Sequence, residues 1–185
     1  MSTLYVDNIA AKTVGNKIIM PQGGIIQTQY TMFTGTNTIT ITTGSNIALT
    51  DLTVNITPQS TNSVIKLEGM VNGEWSNAGA TYNSAVFFFR DTTKLGQPTA
   101  GNRTTGVAPF KLSYWTSDAA STPESTGTFQ FYDTPSSTSQ ITYKIGIQTS
   151  AGSNPVFHLN KTVTDTDNDA YERFISLISA TEIAG

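Results

Sequence analysis

The run Arg173-Phe174-Ile175-Ser176-Leu177-Ile178-Ser179-Ala180-Thr181-Glu182-Ile183-Ala184-Gly185 limits the possible folds more than any other stretch, because it holds the densest branched apolar content in the chain. With period two, one face carries Ile175, Leu177 and Ile183 with Ser179 and Thr181. The other carries Phe174, Ile178 and Ala180 with Ser176 and Glu182. Neither face is cleanly polar, the pattern of a strand covered on both sides. A helical reading aligns Phe174, Leu177, Ile178 and Thr181, but no N-cap with a following acid precedes them. Ile and Ser are also mediocre helix formers. Chain ends fray unless a sheet or a docked helix holds them. A terminal strand is therefore expected within a sandwich whose outer face meets another subunit.

The same alternation recurs upstream. Ile39 and Ile41 alternate with threonines. Leu52, Val54 and Ile56 stop at Pro58, and Ile65, Leu67, Gly69 and Val71 oppose Lys66 and Glu68. The pattern predicts a hairpin of Leu52–Ile56 against Val64–Val71 across the Gln59–Asn62 loop. In Ala85-Val86-Phe87-Phe88-Phe89-Arg90, one face takes Ala85, Phe87 and Phe89 and the other Val86, Phe88 and Arg90. In a lone sandwich Phe88 is expected to be wet, forgoing the roughly 1.5–3 kcal/mol of burying such a side chain. Phe110, Leu112 and Tyr114 share a strand face, as do Phe129 and Phe131. Ile141, Tyr143, Ile145 and Ile147 alternate most cleanly of all, and Val156–Leu159 is a last short strand. Stretches 92–109 and 117–126 read as long loops, where binding usually sits on a rigid sheet. The total is nine or ten strands and no helix, an all-β antiparallel sandwich of the jelly-roll kind.

Residues 1–28 read as an arm separate from the sandwich of 29–185. Leu4, Val6 and Ile9 form one short strand and Ile18-Ile19-Met20 another, ended by Pro21 and loosened by Gly23-Gly24. Strands this short close no core alone. The arm is expected to pack on its own domain, on symmetry copies or on a partner, and attachment is the preferred reading over an ordinary edge hairpin.

Composition narrows the chemistry. Charged residues make up 12% of the 185, the net charge is −3, and Lys and Arg form no cluster. A nucleic-acid footprint is therefore not expected. There is no cysteine, which excludes disulfides, thiolate catalysis and Cys-ligated zinc. No signal-peptide pattern and no apolar run of membrane-helix length occur, so a soluble protein made in the cytoplasm, without membrane insertion, is expected.

His158, the single histidine, lies among Val156, Phe157 and Leu159 and reads as a strand residue. No nucleophile triad, phosphate loop or His metal motif is present, so neither enzymatic activity nor a cofactor is expected. Asp165-Thr166-Asp167-Asn168-Asp169 is the one metal-like segment, since alternate carboxylates at Asp165, Asp167 and Asp169 suit calcium's hard oxygen ligands. It is not an EF-hand, because Ala170 and Ser176 stand where glycine and a bidentate acid belong. A solvated turn before the terminal strand is the plainer reading. Trp75, Tyr82, Trp115 and Tyr132 suit either sugar stacking or core and interface packing, and packing is preferred. The sequons at Asn55, Asn102 and Asn160 are those that arise by chance in a chain rich in Asn and Thr.

Several segments carry a family likeness. Met1–Ile9 and Met20–Gln27 resemble the N-terminal arm of small virion proteins of marine tailed bacteriophages. Val54-Asn55-Ile56-Thr57-Pro58-Gln59-Ser60 is similar to their I-T-P-x-S turn, and Ser139–Lys144 to a late strand. Asp165–Asn168 and Thr181–Gly185 are similar to their ending. The resemblance implies a structural component of the particle exterior, in tail fibre, knob or capsid-attached fibre. It also implies a homotrimeric jelly roll like the C1q and tumour-necrosis-factor heads. On that expectation the partners are two further copies, other virion proteins gripped by the arm, and a host surface glycan. Val86, Phe88, Phe174, Ile178 and Ala180 are the intersubunit candidates, with Leu4, Val6, Ile9, Ile18 and Ile19 as the apolar positions of the arm.

Overall fold

The computed structural model describes residues 20–96, 98, 101–110 and 123–185. Its strands are β1 (Ile25–Phe33), β2 (Asn37–Thr40), β3 (Ile47–Ile56), β4 (Val64–Trp75), β5 (Ser84–Arg90), β6 (Thr93–Lys94), β7 (Ala108–Pro109), β8 (Glu124–Asp133), β9 (Ile141–Thr149), β10 (Val156–Leu159) and β11 (Ser176–Ile183). One five-residue helix, α1 (Ala78–Tyr82), interrupts them. No periodic signal marks so short a turn. It is held by Asn77, whose side-chain oxygen accepts from the Gly79 and Ala80 amides at 2.8 and 3.3 Å.

Two antiparallel sheets pack face to face. In the first, β1 pairs β11, β11 pairs β4, and β8 lies on the other side of β4, while β10 joins β4 to β2. In the second, β3 pairs β9, β9 pairs β5, and β5 carries β6 and β7 on its far side. Most connections between strands therefore cross from one sheet to the other. That corrects the hairpin expected of Leu52–Ile56 with Val64–Val71. Alternation sets which face of each strand is buried, but not which neighbour it pairs with. β3 and β4 lie in opposite sheets, linked by the 57–63 turn.

The core fills the gap between the inner faces. Leu52, Val54, Val86, Phe88, Tyr143, Ile145 and Ile147 of the second sheet meet Ile65, Leu67, Val71, Phe129, Ile178 and Ala180 of the first. Phe88 lies against Phe129 with ring centroids 5.0 Å apart. Trp75, Phe110 and Phe157 cluster at one end, with centroids 5.0–6.0 Å apart. Trp75 is thus a core residue, not a sugar platform.

The faces of β5 fall opposite to expectation. Val86 and Phe88 point inward and have no exposed surface. Phe87 and Phe89 lie on the outer face and are also covered. The strand beneath Phe87 carries Gly146, where an added Cβ would collide with the ring. Lys94 roofs it, with Nζ 4.2 Å from the ring centroid. Nζ donates to Thr105 O, Asn46 Oδ1 and Gln148 Oε1 at 2.7–3.1 Å. Burial lowers the Lys94 pKa.

The segments read as loops are shorter than expected. β6 and β7 occupy parts of 92–109, and β8 begins at Glu124 within 117–126. β1 begins at Ile25, so residues 25–28 belong to the sandwich rather than to an arm. Leu4, Val6, Ile9, Ile18 and Ile19 lie outside the described residues, as do Leu112, Tyr114 and Trp115.

Two buried polar side chains tie the terminal strand in place. Glu182, fully buried on β11, accepts from the Gln59 amide and the Ser63 hydroxyl, each at 2.6 Å, and from Gln27 Nε2 at 2.7 Å. It therefore joins β1, the 57–63 turn and β11. Asn160, with φ at 61°, donates from Nδ2 to Phe33 O and Gly35 O at 2.8 and 2.9 Å and accepts from Ser176 Oγ at 2.6 Å. Its amide is thus committed, and its sequon is inaccessible. Removing the Glu182 carboxylate leaves buried donors without an acceptor. Glu182→Ala is expected to cost about 3 kcal/mol, a fall of about 6–12 °C in melting temperature for a chain of this size. Glu182→Gln, which keeps one acceptor oxygen, should lose less. Thermal unfolding checks both, and equal losses would contradict the account.

Candidate functional site

The outer face of the β1–β11–β4–β8 sheet is the candidate site. Cross-strand register places its residues in rows. Ile25, Ile183 and Val64 form the first. Thr28, Thr181, Lys66 and Tyr132 form the second, then Tyr30, Ser179, Glu68 and Gln130, then Met32, Leu177, Met70 and Thr128. Ile175 borders the last row, where its carbonyl accepts from Asn72 Nδ2 at 2.7 Å. Apolar rows at the two ends thus frame a more polar middle that holds one ion pair, Lys66 to Glu68 at 2.9 Å. That bond to Glu68 is the chief reason the Lys66 pKa is raised.

Among the described residues, the large exposed hydrophobics all belong to this sheet or its border. They are Ile25 at 62%, Tyr30 at 73%, Met32 at 56%, Tyr132 at 52% and Ile175 at 43%. Single exposed apolar side chains need no explanation, whereas a contiguous patch marks an interaction surface.

The expected interface residues are not on this face. Val86, Phe88, Ile178 and Ala180 are in the single-chain core with no exposed surface, and Phe174 is half-buried just before β11. On β11 the two faces were identified with the right members, and the inner and outer roles are reversed. Ser176, Ile178, Ala180 and Glu182 face the opposing sheet, while Leu177, Ser179 and Ile183 look outward. The missed residues Tyr30 and Met32 sit in Thr28-Gln29-Tyr30-Thr31-Met32, whose alternation of threonine or glutamine with larger side chains is itself a strand signal.

The Asp165–Asp169 turn does not assemble a cation site. Asp165 takes a two-pronged bond from Arg173, Nε and Nη2 each at 2.8 Å, with Lys161 Nζ at 3.7 Å. Asp167 and Asp169 are exposed. Among the described residues, no three acidic, His or Cys side chains converge as a metal set. Arg173 thus occupies the first of the three carboxylates that the calcium alternative would use. Equal melting temperatures with excess calcium and with EDTA are expected, and a rise with calcium would overturn this reading.

His158 lies on β10 between Thr38 and Glu74 of the neighbouring strands. Burial, then the charge of Lys161, lowers its pKa, while Asp165 opposes them. A depressed pKa means the neutral form is favoured by folding. Its contribution is full above the unfolded value of about 6.5 and is lost as pH falls through the folded value. Melting temperature is expected to fall between about pH 7 and 5, and less steeply in His158→Gln. Identical slopes would contradict this.

A groove of about 600 Å³ opens at the end of β5, lined by Asn83, Ser84, Asn102, Arg103, Thr104 and Ser150. It holds part of the 92–109 stretch expected to bind a host surface. Among the described residues no helix is long and apolar enough to cross a membrane. No protein-family model and no curated protein matches the chain.

Proposed function

We propose that this chain is a non-enzymatic structural protein of a bacteriophage virion, a homotrimeric β knob on the particle exterior docked through its N-terminal arm. The observation that carries the reading is the set of large exposed apolar side chains, Ile25, Tyr30, Met32, Tyr132 and Ile175, on the outer face of the β1–β11–β4–β8 sheet and its border. Its half-exposed side chains surround one neutralised ion pair, so the face meets its own copies without charge repulsion. The described chain begins beside this sheet, where the Gly23 amide donates to Ala184 O at 2.8 Å.

The strand order supports a jelly roll. The earliest and latest strands pair, β1 with β11 and β3 with β9, and most connections cross between the sheets. The likeness of the arm, the Ile56-Thr57-Pro58 turn and the closing residues to small phage virion proteins points the same way. Tail fibre or knob is the favoured place, with capsid decoration lacking a receptor as the alternative. The polar groove at Asn102 and Thr104 is where a host glycan would bind, in the knob and equally in a free-standing carbohydrate-binding module.

Light scattering of the purified protein is expected to give a multiple of three 19.8 kDa chains. Tyr132→Asp, placing a carboxylate on the face far from β1, should abolish the three-fold contact with little change in melting temperature. A single-chain mass at micromolar concentration would overturn the proposal.

A further inference from the structure

Sheet edges risk pairing with other chains, and natural edges carry a charge, a proline, a bulge or a very short strand. The four other described edges do. β2 is only four residues long, Asn37–Thr40. β3 is offset by a bulge between Leu49 and Thr53 that carries Asp51. β6 and β7 are two residues each, with Lys94 and Pro109. β8 starts at Glu124, ends at Asp133 and bends at Gly127, whose φ is 61°.

β1 is different. It is nine residues long, Ile-Ile-Gln-Thr-Gln-Tyr-Thr-Met-Phe, with no charge, proline or glycine. Its register with β11 shifts only at the start, between Ile25 and Gln27, and is regular from there to Phe33. No described strand pairs with its other side. Thr28, Gln29 and Tyr30 are exposed in succession, on both faces. Inward side chains do not close that other side. Thr31 Oγ1 and Gln27 Nε2 donate to Thr53 O and Thr57 O at 2.6 and 2.8 Å, capping the chain of β3 instead.

We propose that β1 is a docking edge for β1 of a second copy, the two strands running antiparallel about a two-fold axis near Tyr30. The sheet then continues across two subunits. Neutrality suits this occupant. A two-fold pairing sets each residue beside the one equally far across the axis, so a charge near the axis would stand close to its own copy. With the axis at Tyr30, Gln29 faces Thr31 and Thr28 faces Met32, and no like charges meet. The contact uses the backbone edge and leaves the outer face free, so it stands whether or not that face forms a trimer.

The test is light scattering of the full chain carrying Gln29→Lys, whose side chain points away from the outer face. The mass is expected to halve, from six chains to three, or from two to one if the three-fold contact does not exist. An unchanged mass in folded Gln29→Lys overturns the proposal. Should that variant not fold, the cysteine-free chain offers a second measurement. Single variants Thr28→Cys, Gln29→Cys, Tyr30→Cys, Thr31→Cys and Met32→Cys are oxidised mildly. One position near the axis is expected to cross-link far faster than its neighbours, because only there do the two Cα atoms approach disulfide distance. Equal or absent cross-linking at all five contradicts the pairing.

Discussion

The structure depends on β11 lying between β1 and β4. This one strand brings the two ends of the described chain into the same sheet and gives β4 a neighbour along most of its length. Its inner face supplies Ile178 and Ala180 to the core, and its buried carboxylate, Glu182, gathers donors from β1 and the 57–63 turn. A buried carboxylate is costly unless its lone pairs are filled, and here three hydrogen bonds fill them. The same bonds fix the register of β1, because Gln27 reaches Glu182 only when it stands opposite it. Asn160 repeats the device at the other end of the strand, binding Phe33, Gly35 and Ser176 at once.

With register fixed, the outer face has no freedom. Every residue paired with Leu177, Ser179 or Ile183 must look outward, so Tyr30, Met32, Val64 and Met70 gather there. The second sheet solves the same problem internally. Its outer phenylalanines lie over Gly146 and beneath Lys94, and one chain suffices to cover them. The first sheet has no comparable roof among its described residues. One face is sealed by its own chain and the other leaves Tyr30, Met32 and Tyr132 exposed, and the proposed assembly rests on that asymmetry.

Much of the fold was legible because alternation is a direct record of burial. Ile141, Tyr143, Ile145 and Ile147 are inside as expected, and so are Ile65, Leu67 and Val71. Partnership was not legible. Whether β3 pairs with β4 or crosses to the opposite sheet depends on contacts distant in sequence, and no local pattern encodes them. The faces of β5 were misassigned for a related reason. Phe87 and Phe88 are equally apolar, and what distinguishes them is a glycine nearly sixty residues away. The turn at Asp165 read as a calcium candidate because its spacing suits oxygen ligands, while its real partner, Arg173, is drawn in only by the folded loop. On the terminal strand alternation separates the two faces, but Ile178 and Ala180, expected at a subunit contact, lie in the core, and Leu177 and Ile183 look outward half-buried.

The central claim is that the outer face of the first sheet is covered in the working protein. Methionine oxidation reads this directly, since Met32 is 56% exposed in a single chain and stands on that face at its β1 edge. Under dilute peroxide, with peptide mapping by mass spectrometry, Met32 in the assembled protein should oxidise much more slowly than in Tyr132→Asp. Oxidation of Met32 at the same rate in both would mean that nothing covers the face.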